Sequence, residues 1–70
     1  MRIGGATFDD LQTLVAIVRD EGSTLRDALL NRFAERAGRT WDVGAATLDA
    51  AVEVGRLKLD TATGVVSLAD

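Results

Sequence analysis

With 70 residues, the chain supports one hydrophobic core and a single domain, because so short a chain buries only about 60% of the surface that it exposes when unfolded. It contains neither Cys nor His, which excludes disulfides and thiol chemistry and removes the commonest general base and zinc ligand, so we expect no catalytic residue, no metal site and no cofactor. The net charge of −3 gives no overall basic field, so any contact with DNA must come from a local patch of cations.

The first predicted helix begins at a capping box. Residues 1–6 are expected to form a flexible N-terminal segment, and Thr7 is the expected N-cap, with Asp10 three residues later. Gly22 is expected to end the helix, because glycine readily adopts the left-handed conformation that follows a helix. The apolar residues that recur at steps of three and four, and therefore share one helical face, are Phe8, Leu11, Leu14, Val15 and Val18.

Two more helices are predicted after short links. Helix 2 repeats the capping pattern with Thr24 and Asp27 and ends at Gly38. Helix 3 is predicted to begin at Asp42, or at Thr40 if its first turn is tighter. The inward residues of helix 2 are expected to be Leu25, Leu29, Leu30, Phe33 and Ala37. Those of helix 3 are expected to be Leu48, Ala51, Val52 and Gly55.

A β-hairpin is predicted at the end of the chain, because the hydrophobic period changes from about 3.6 to 2 after Gly55. Leu57 and Leu59 alternate with Lys58, and Gly64 closes the turn into a second strand. An isolated hairpin is only marginally stable, so we expect this one to pack on the helices. Its expected anchors are Leu57, Leu59, Val66 and Leu68.

This order of elements resembles the winged-helix variant of the helix-turn-helix. Residues 48–57 (LDAAVEVGRL) resemble the junction at which the third helix of that family ends in a glycine and a branched residue opens the wing. The predicted fold class is therefore α+β, a three-helix bundle with a C-terminal β-hairpin wing over residues 7–70.

The resemblance implies a small transcription regulator that binds double-stranded DNA. We expect it to act as a dimer, because one small module without strong base-reading side chains would bind weakly. In that family the third helix enters the major groove, and the wing contacts the backbone or the minor groove. The residues that the resemblance places at this interface are Arg39, Thr40, Thr47, Arg56, Lys58, Thr61 and Thr63, together with Ala45, Ala46 and Asp49 of helix 3.

The residues of helix 3 fit a protein partner as well. The expected outward face carries Asp49 and Glu53 but no Arg, Lys, Asn or Gln, which are the side chains that commonly read base edges. The alternative is a protein-interaction winged helix that binds another protein or a second copy of itself. The residues of that interface would be Val43, Ala46, Ala50, Glu53 and Val54.

Two further features have both a structural and a functional interpretation. Arg32, Arg36 and Arg39 form either a stripe that contacts phosphates or a solvated helix edge, with Glu35 paired to Arg32 or Arg39. Trp41 is either an exposed anchor for a partner or a core residue beneath the turn between helices 2 and 3. For Trp41, the core position is the prediction.

No targeting or membrane-spanning pattern is recognisable in the sequence. No apolar run approaches the 18 residues that a transmembrane helix requires. The N-terminal residues MRIGGATFDD lack the apolar core of a signal peptide. We therefore predict a cytoplasmic protein with no membrane partner.

Overall fold

The computed structural model describes residues 2–3 and 6–69, with side chains from Thr7 onward. Its helices are α1 (Phe8–Glu21), α2 (Arg26–Ala37) and α3 (Trp41–Glu53). Its strands are β1 (Arg2–Ile3), β2 (Ala6–Thr7), β3 (Thr24–Leu25), β4 (Leu57–Asp60) and β5 (Val65–Leu68). This α+β arrangement of three helices and a C-terminal hairpin confirms the predicted fold class and is compatible with a winged-helix-like fold.

The start of α1 is the predicted capping box. The Thr7 hydroxyl accepts a hydrogen bond from the backbone N–H of Asp10 at 3.2 Å. The Asp10 carboxylate accepts one from the backbone N–H of Thr7 at 3.0 Å. Two N–H groups that the helix itself leaves without partners are thereby satisfied. The helix ends at Gly22, as predicted.

The start of α2 differs from the prediction, because Thr24 and Asp27 form no capping box. Thr24 pairs with β5, so the chain stays extended through Leu25, which is the N-cap and makes no side-chain capping bond. The backbone N–H of Arg26 instead donates to the carbonyl of Gly64 at 2.7 Å. The end of the β4–β5 turn thus satisfies a donor at the start of α2, which a capping side chain would otherwise serve.

Strand β5 is the centre of a three-stranded antiparallel sheet with the order β3-β5-β4. The predicted hairpin is confirmed, with Leu57 opposite Leu68 and Leu59 opposite Val66. Strand β3 was not predicted, because two residues are too few to show a period of 2. It joins the sheet through its pairing with β5.

A Schellman motif joins α3 to β4. The backbone N–H of Arg56 donates to the carbonyl of Ala51 at 2.9 Å, and that of Gly55 donates to the carbonyl of Val52 at 3.1 Å. The motif requires a left-handed residue, and Gly55 has a φ of 81°. Because β4 follows directly, the hydrogen bonds of the motif fix the direction in which the hairpin leaves α3.

The core lies between the three helices and the inner face of the sheet. Its largest fully buried side chains are Phe33, Leu14, Ile17, Leu29, Leu30, Leu48 and Leu57. Helices α2 and α3 approach closely at Gly44. A Cβ atom at this position would lie 3.1 Å from Cδ2 of Phe33 and 3.2 Å from Cδ2 of Leu30, so only a glycine fits there without a shift of its neighbours.

Several residues predicted to be buried are exposed. Phe8 is 58% exposed, because the first residue of α1 lies at the edge of the face that packs on the core. Leu25 belongs to the extended segment before α2, and its side chain also faces solvent. Val52 and Gly55 are exposed at the C-terminal end of α3. Leu59 and Leu68 are half-buried and contact the core.

The N-terminal segment contains two short paired strands. Arg2 of β1 lies opposite Thr7 of β2, and Ile3 lies opposite Ala6. Both strands lie against α3. The predicted flexible segment of residues 1–6 also includes Met1, Gly4 and Gly5, which lie outside the described residues.

Candidate binding surface of α3 and the wing

The outward face of α3 carries a row of carboxylates. Asp42, Asp49 and Glu53 are exposed, and their spacings of seven and four residues place them on one stripe of the helix. At a rise of about 1.5 Å per residue, the row is about 16 Å long. The helix contains no Arg, Lys, Asn or Gln. Its outward face is therefore acidic, with no side chain of the types that usually read base edges.

Apolar side chains lie along one edge of this row. Trp41 is 40% exposed, so its predicted position in the core is wrong. The guanidinium of Arg26 lies over the Trp41 ring, 5.4 Å from the ring centroid, at a distance typical of a cation–π contact. Val52, eleven residues after Trp41, returns to nearly the same side of the helix and is also exposed. Ala45 lies between them and is half-buried.

Two residues proposed for the surface of α3 are buried. Thr47, implied as a DNA contact, is fully buried, and its hydroxyl donates to the carbonyl of Val43 at 2.7 Å. Ala50, proposed for a protein interface, is only 4% exposed. Helix α1 and strands β1 and β2 pack against α3. Because of this packing, the face of α3 that is exposed to solvent differs from the one that the hydrophobic periodicity predicted. Ala46 and Val43 are half-buried.

The two residues implied at the start of α3 have structural roles. Nη2 of Arg39 lies 3.3 Å from Oδ2 of Asp10, whose side chain is only 10% exposed. This ion pair joins the turn before α3 to the first turn of α1. The Thr40 hydroxyl accepts a hydrogen bond from the backbone N–H of Val43 at 3.3 Å and caps α3. Both side chains stabilise the arrangement of the helices.

The arginine stripe of α2 is paired with acidic residues of α1. Arg32 lies 3.4 Å from Glu21, and Arg36 lies 3.9 Å from Asp20. The predicted pairing of Glu35 with Arg32 or Arg39 is therefore wrong. Acids of α1 face these cations, so the stripe offers less net positive charge to a phosphate than the sequence alone suggests.

The wing carries the remaining residues implied as DNA contacts. Arg56, Lys58, Thr61 and Thr63 are all exposed. The Thr63 hydroxyl accepts a hydrogen bond from the backbone N–H of the residue two positions later, at 3.3 Å, and so helps to shape the turn. Arg56 and Lys58 make no ion pair within residues 7–69. They are therefore the implied cations best placed to meet a ligand.

Six side chains at the C-terminal end of α3 and the start of the wing are exposed. They are Asp49, Val52, Glu53, Val54, Arg56 and Lys58. Sequence reasoning named five of them and missed Val52, which it placed in the core. It also missed the place of Asp42 in the acidic row, although the spacing of seven residues to Asp49 is a usable signal.

The part of the chain that the structure describes holds no group of three or more His, Cys, Asp and Glu side chains arranged to bind a metal ion. None of its described helices combines the length and the apolar character that crossing a bilayer requires. Comparison with protein-family models, with curated proteins and with solved structures finds no match for the chain. Its function is therefore inferred from the geometry and charge of α3 and the wing.

Proposed function

We propose that this chain is a protein-interaction domain that binds its partner through the outward face of α3. The observation that carries the proposal is the row of Asp42, Asp49 and Glu53 on a helix with no basic side chain. A helix in the major groove lies close to the phosphates of both strands, which repel carboxylates. The same carboxylates attract a protein surface that carries Lys or Arg.

The exposed apolar residues of α3 define the partner further. Trp41 and Val52 lie along one edge of the acidic row, and Trp is among the residues enriched in the energetic centres of interfaces. The surface therefore fits an amphipathic segment whose basic side chains face the carboxylates and whose apolar side chains cover Trp41 and Val52.

An amide-resolved NMR titration with a synthetic amphipathic helix of Arg and Leu tests this proposal. We expect the shifts to cluster in α3 and to be lost in the double variant Asp49→Asn/Glu53→Gln. The matched control is Asp9→Asn/Glu35→Gln, because both of these residues are exposed and make no ion pair within the described side chains. Both variants change the net charge equally, so equal weakening in the two would mean unspecific attraction and would contradict the proposal.

A DNA-binding regulator in the cytoplasm is the second candidate, and the wing supports it. Arg56 and Lys58 are exposed cations without an ion pair among the described residues, and wings of this fold class contact the DNA backbone or the minor groove. Titration with mixed-sequence duplex DNA should then shift wing amides, less so as salt rises. Lys58→Glu should abolish these shifts, whereas the control Arg19→Glu should not. Equal effects of the two substitutions would count against a wing-specific site.

A further inference from the structure

Strand β4 forms one edge of the three-stranded sheet. The strand order is β3-β5-β4, and no strand among the described residues lies beyond β4. An edge strand turns the N–H and C=O groups of every second residue away from its own sheet, where these groups can pair with a further strand. The hydrogen bonds of the sheet show which residues of β4 do so.

Leu57 and Leu59 direct their backbone groups to the free edge. The Ala69 N–H donates to the carbonyl of Arg56, which lies opposite it, at 3.2 Å. Hydrogen-bonded pairs alternate with non-hydrogen-bonded pairs along an antiparallel ladder. Lys58 therefore turns its N–H and C=O groups towards β5, whereas Leu57 and Leu59 turn theirs away from it.

The side chains of β4 alternate between the two faces of the sheet. Leu57 is only 1% exposed, and Leu59, on the same face, is half-buried and contacts the core. Lys58 and Asp60 are exposed and lie on the other face. The free edge therefore has a partly uncovered apolar side chain on one face and two opposite charges on the other.

A second copy of β4 is complementary to this edge when the strands run antiparallel and the two Leu59 residues lie opposite each other. Their outward N–H and C=O groups then form a hydrogen-bonded pair. Lys58 of each copy lies directly opposite Asp60 of the other, and opposite charges at such positions attract. The two Leu59 side chains meet on the core face, where each covers apolar surface of the other.

The neighbouring registers fit less well. Centring the pair on Lys58 aligns Asp60 with Arg56 but places the two Lys58 side chains directly opposite each other, and like charges there destabilise the pair. Centring it on Leu57 places Lys58 opposite Arg56, again with like charges. A lysine on an edge strand usually opposes pairing, so the register in which Lys58 meets Asp60 is the favoured one.

We propose that a second copy of this chain pairs with the free edge of β4, so that the two three-stranded sheets join into one antiparallel sheet around a two-fold axis at Leu59. Because β4 has only four residues, the dimer is weak. The proposal does not depend on the protein-binding function of α3, since it uses the backbone of β4 and not the outward face of the helix.

Sedimentation velocity of the intact chain tests whether the dimer forms. Between about 10 μM and about 1 mM protein, concentrations that bracket a weak affinity, the mass should rise from 7.4 kDa towards twice that value. A mass that stays at that of one chain over the whole concentration range overturns the dimer.

Hydrogen exchange of the Leu59 amide tests whether the dimer uses this edge. For a Kd of about 0.1 mM, exchange of this amide should slow about fourfold between about 10 μM and about 1 mM protein, because its outward N–H gains a partner. The control is the Leu25 amide, which points away from β5 at the opposite edge of the sheet, since its neighbour Arg26 bonds to Gly64. Equal slowing of both amides, or none at Leu59, overturns the edge pairing.

Charge substitutions test the register. Lys58→Asp and Asp60→Lys each place like charges opposite each other and should lose association, whereas the double variant Lys58→Asp/Asp60→Lys exchanges the charges and should regain it. Asp60→Lys also removes the bond that the Asp60 carboxylate accepts from the Ala62 N–H. The double variant shares that loss, so its comparison with Asp60→Lys isolates the effect of charge.

The control Arg19→Asp makes the same change in net charge as Lys58→Asp at an exposed residue of α1 and should associate like the unchanged chain. Far-UV circular dichroism confirms that each variant is folded. Folded single variants of β4 that dimerise like the unchanged chain would overturn the site. A folded double variant that stays monomeric would overturn the register.

Discussion

Replacing Gly44 with Ala tests how closely α2 and α3 pack. The added Cβ would lie 3.1 Å from Phe33 and 3.2 Å from Leu30, and both of these side chains are fully buried. Contacts this short require the neighbouring side chains to move by a few tenths of an ångström. Their room to move is limited, because protein cores are packed about as densely as crystals of small organic molecules.

Two opposing terms determine the size of this effect. Alanine in place of glycine within a helix gains about 1 kcal/mol of stability through helix propensity. Overpacking of a dense core costs about 1–3 kcal/mol. We therefore expect a net loss of about 1 kcal/mol in the free energy of unfolding. In a domain of this size, that loss lowers Tm by about 5 °C.

Thermal and urea unfolding of Gly44→Ala measure the effect, and Ala45→Gly calibrates it. Ala45 is half-buried in the same helix, so its replacement reports the propensity term at about 1 kcal/mol. In the double variant Gly44→Ala/Leu30→Val, the combined loss should be smaller than the sum of the single losses by about 0.5 kcal/mol. If Gly44→Ala instead stabilises the domain by as much as Ala45→Gly destabilises it, the close approach of the two helices is refuted.

Two further substitutions probe the interactions that hold α3 in place. Arg39→Ala removes the ion-pair partner of the nearly buried Asp10 carboxylate. Because the Arg39 side chain is 37% exposed, solvent screens this pair, and we expect the free energy of unfolding measured in urea to fall by about 1–2 kcal/mol. The control Arg32→Ala breaks a more exposed pair and should cost less, so equal losses would contradict a special role for Arg39. Arg26→Gln removes the cation over the Trp41 ring, so the ring becomes more accessible to solvent. We expect the Trp fluorescence emission to shift to longer wavelength and acrylamide to quench it more strongly. Unchanged emission and quenching would show that the contact does not form in solution.

Local signals in the sequence predicted the fold where no distant partner competed with them. Thr7 and Asp10 form the expected capping box, whereas Thr24 and Asp27 have the same spacing and do not. The difference arises from a strand about forty residues further along the chain, since Thr24 pairs with β5 and leaves the helix to begin after it. Pairing between distant segments overrides a local preference of about 1 kcal/mol.

The buried face of α3 could not be predicted, because small residues occupy several sides of this helix. Periodicity placed Val52 inward and Ala50 outward, and the structure shows the reverse. A helix with Ala and Gly on several sides has no single dominant apolar stripe. Its orientation is set instead by the close contact with α2 at Gly44 and by the packing of β1 and β2. The exposure of Asp49, Glu53 and Arg56 near the end of the helix was predicted correctly. Charged side chains favour solvent, and Gly55 indicates where the helix ends.

The place of β5 in the chain has a consequence for the order of folding. The central strand of the sheet is the last of the described elements to leave the ribosome, because synthesis begins at the N-terminus. Helices α1, α2 and α3 contact one another through residues made earlier, but β3 and β4 have no neighbour in the sheet until β5 arrives. A chain without the residues from Val65 onward therefore leaves β3 and β4 without a partner strand. Pairing of β5 with β3 and β4, rather than formation of the helices, completes the sheet of this domain.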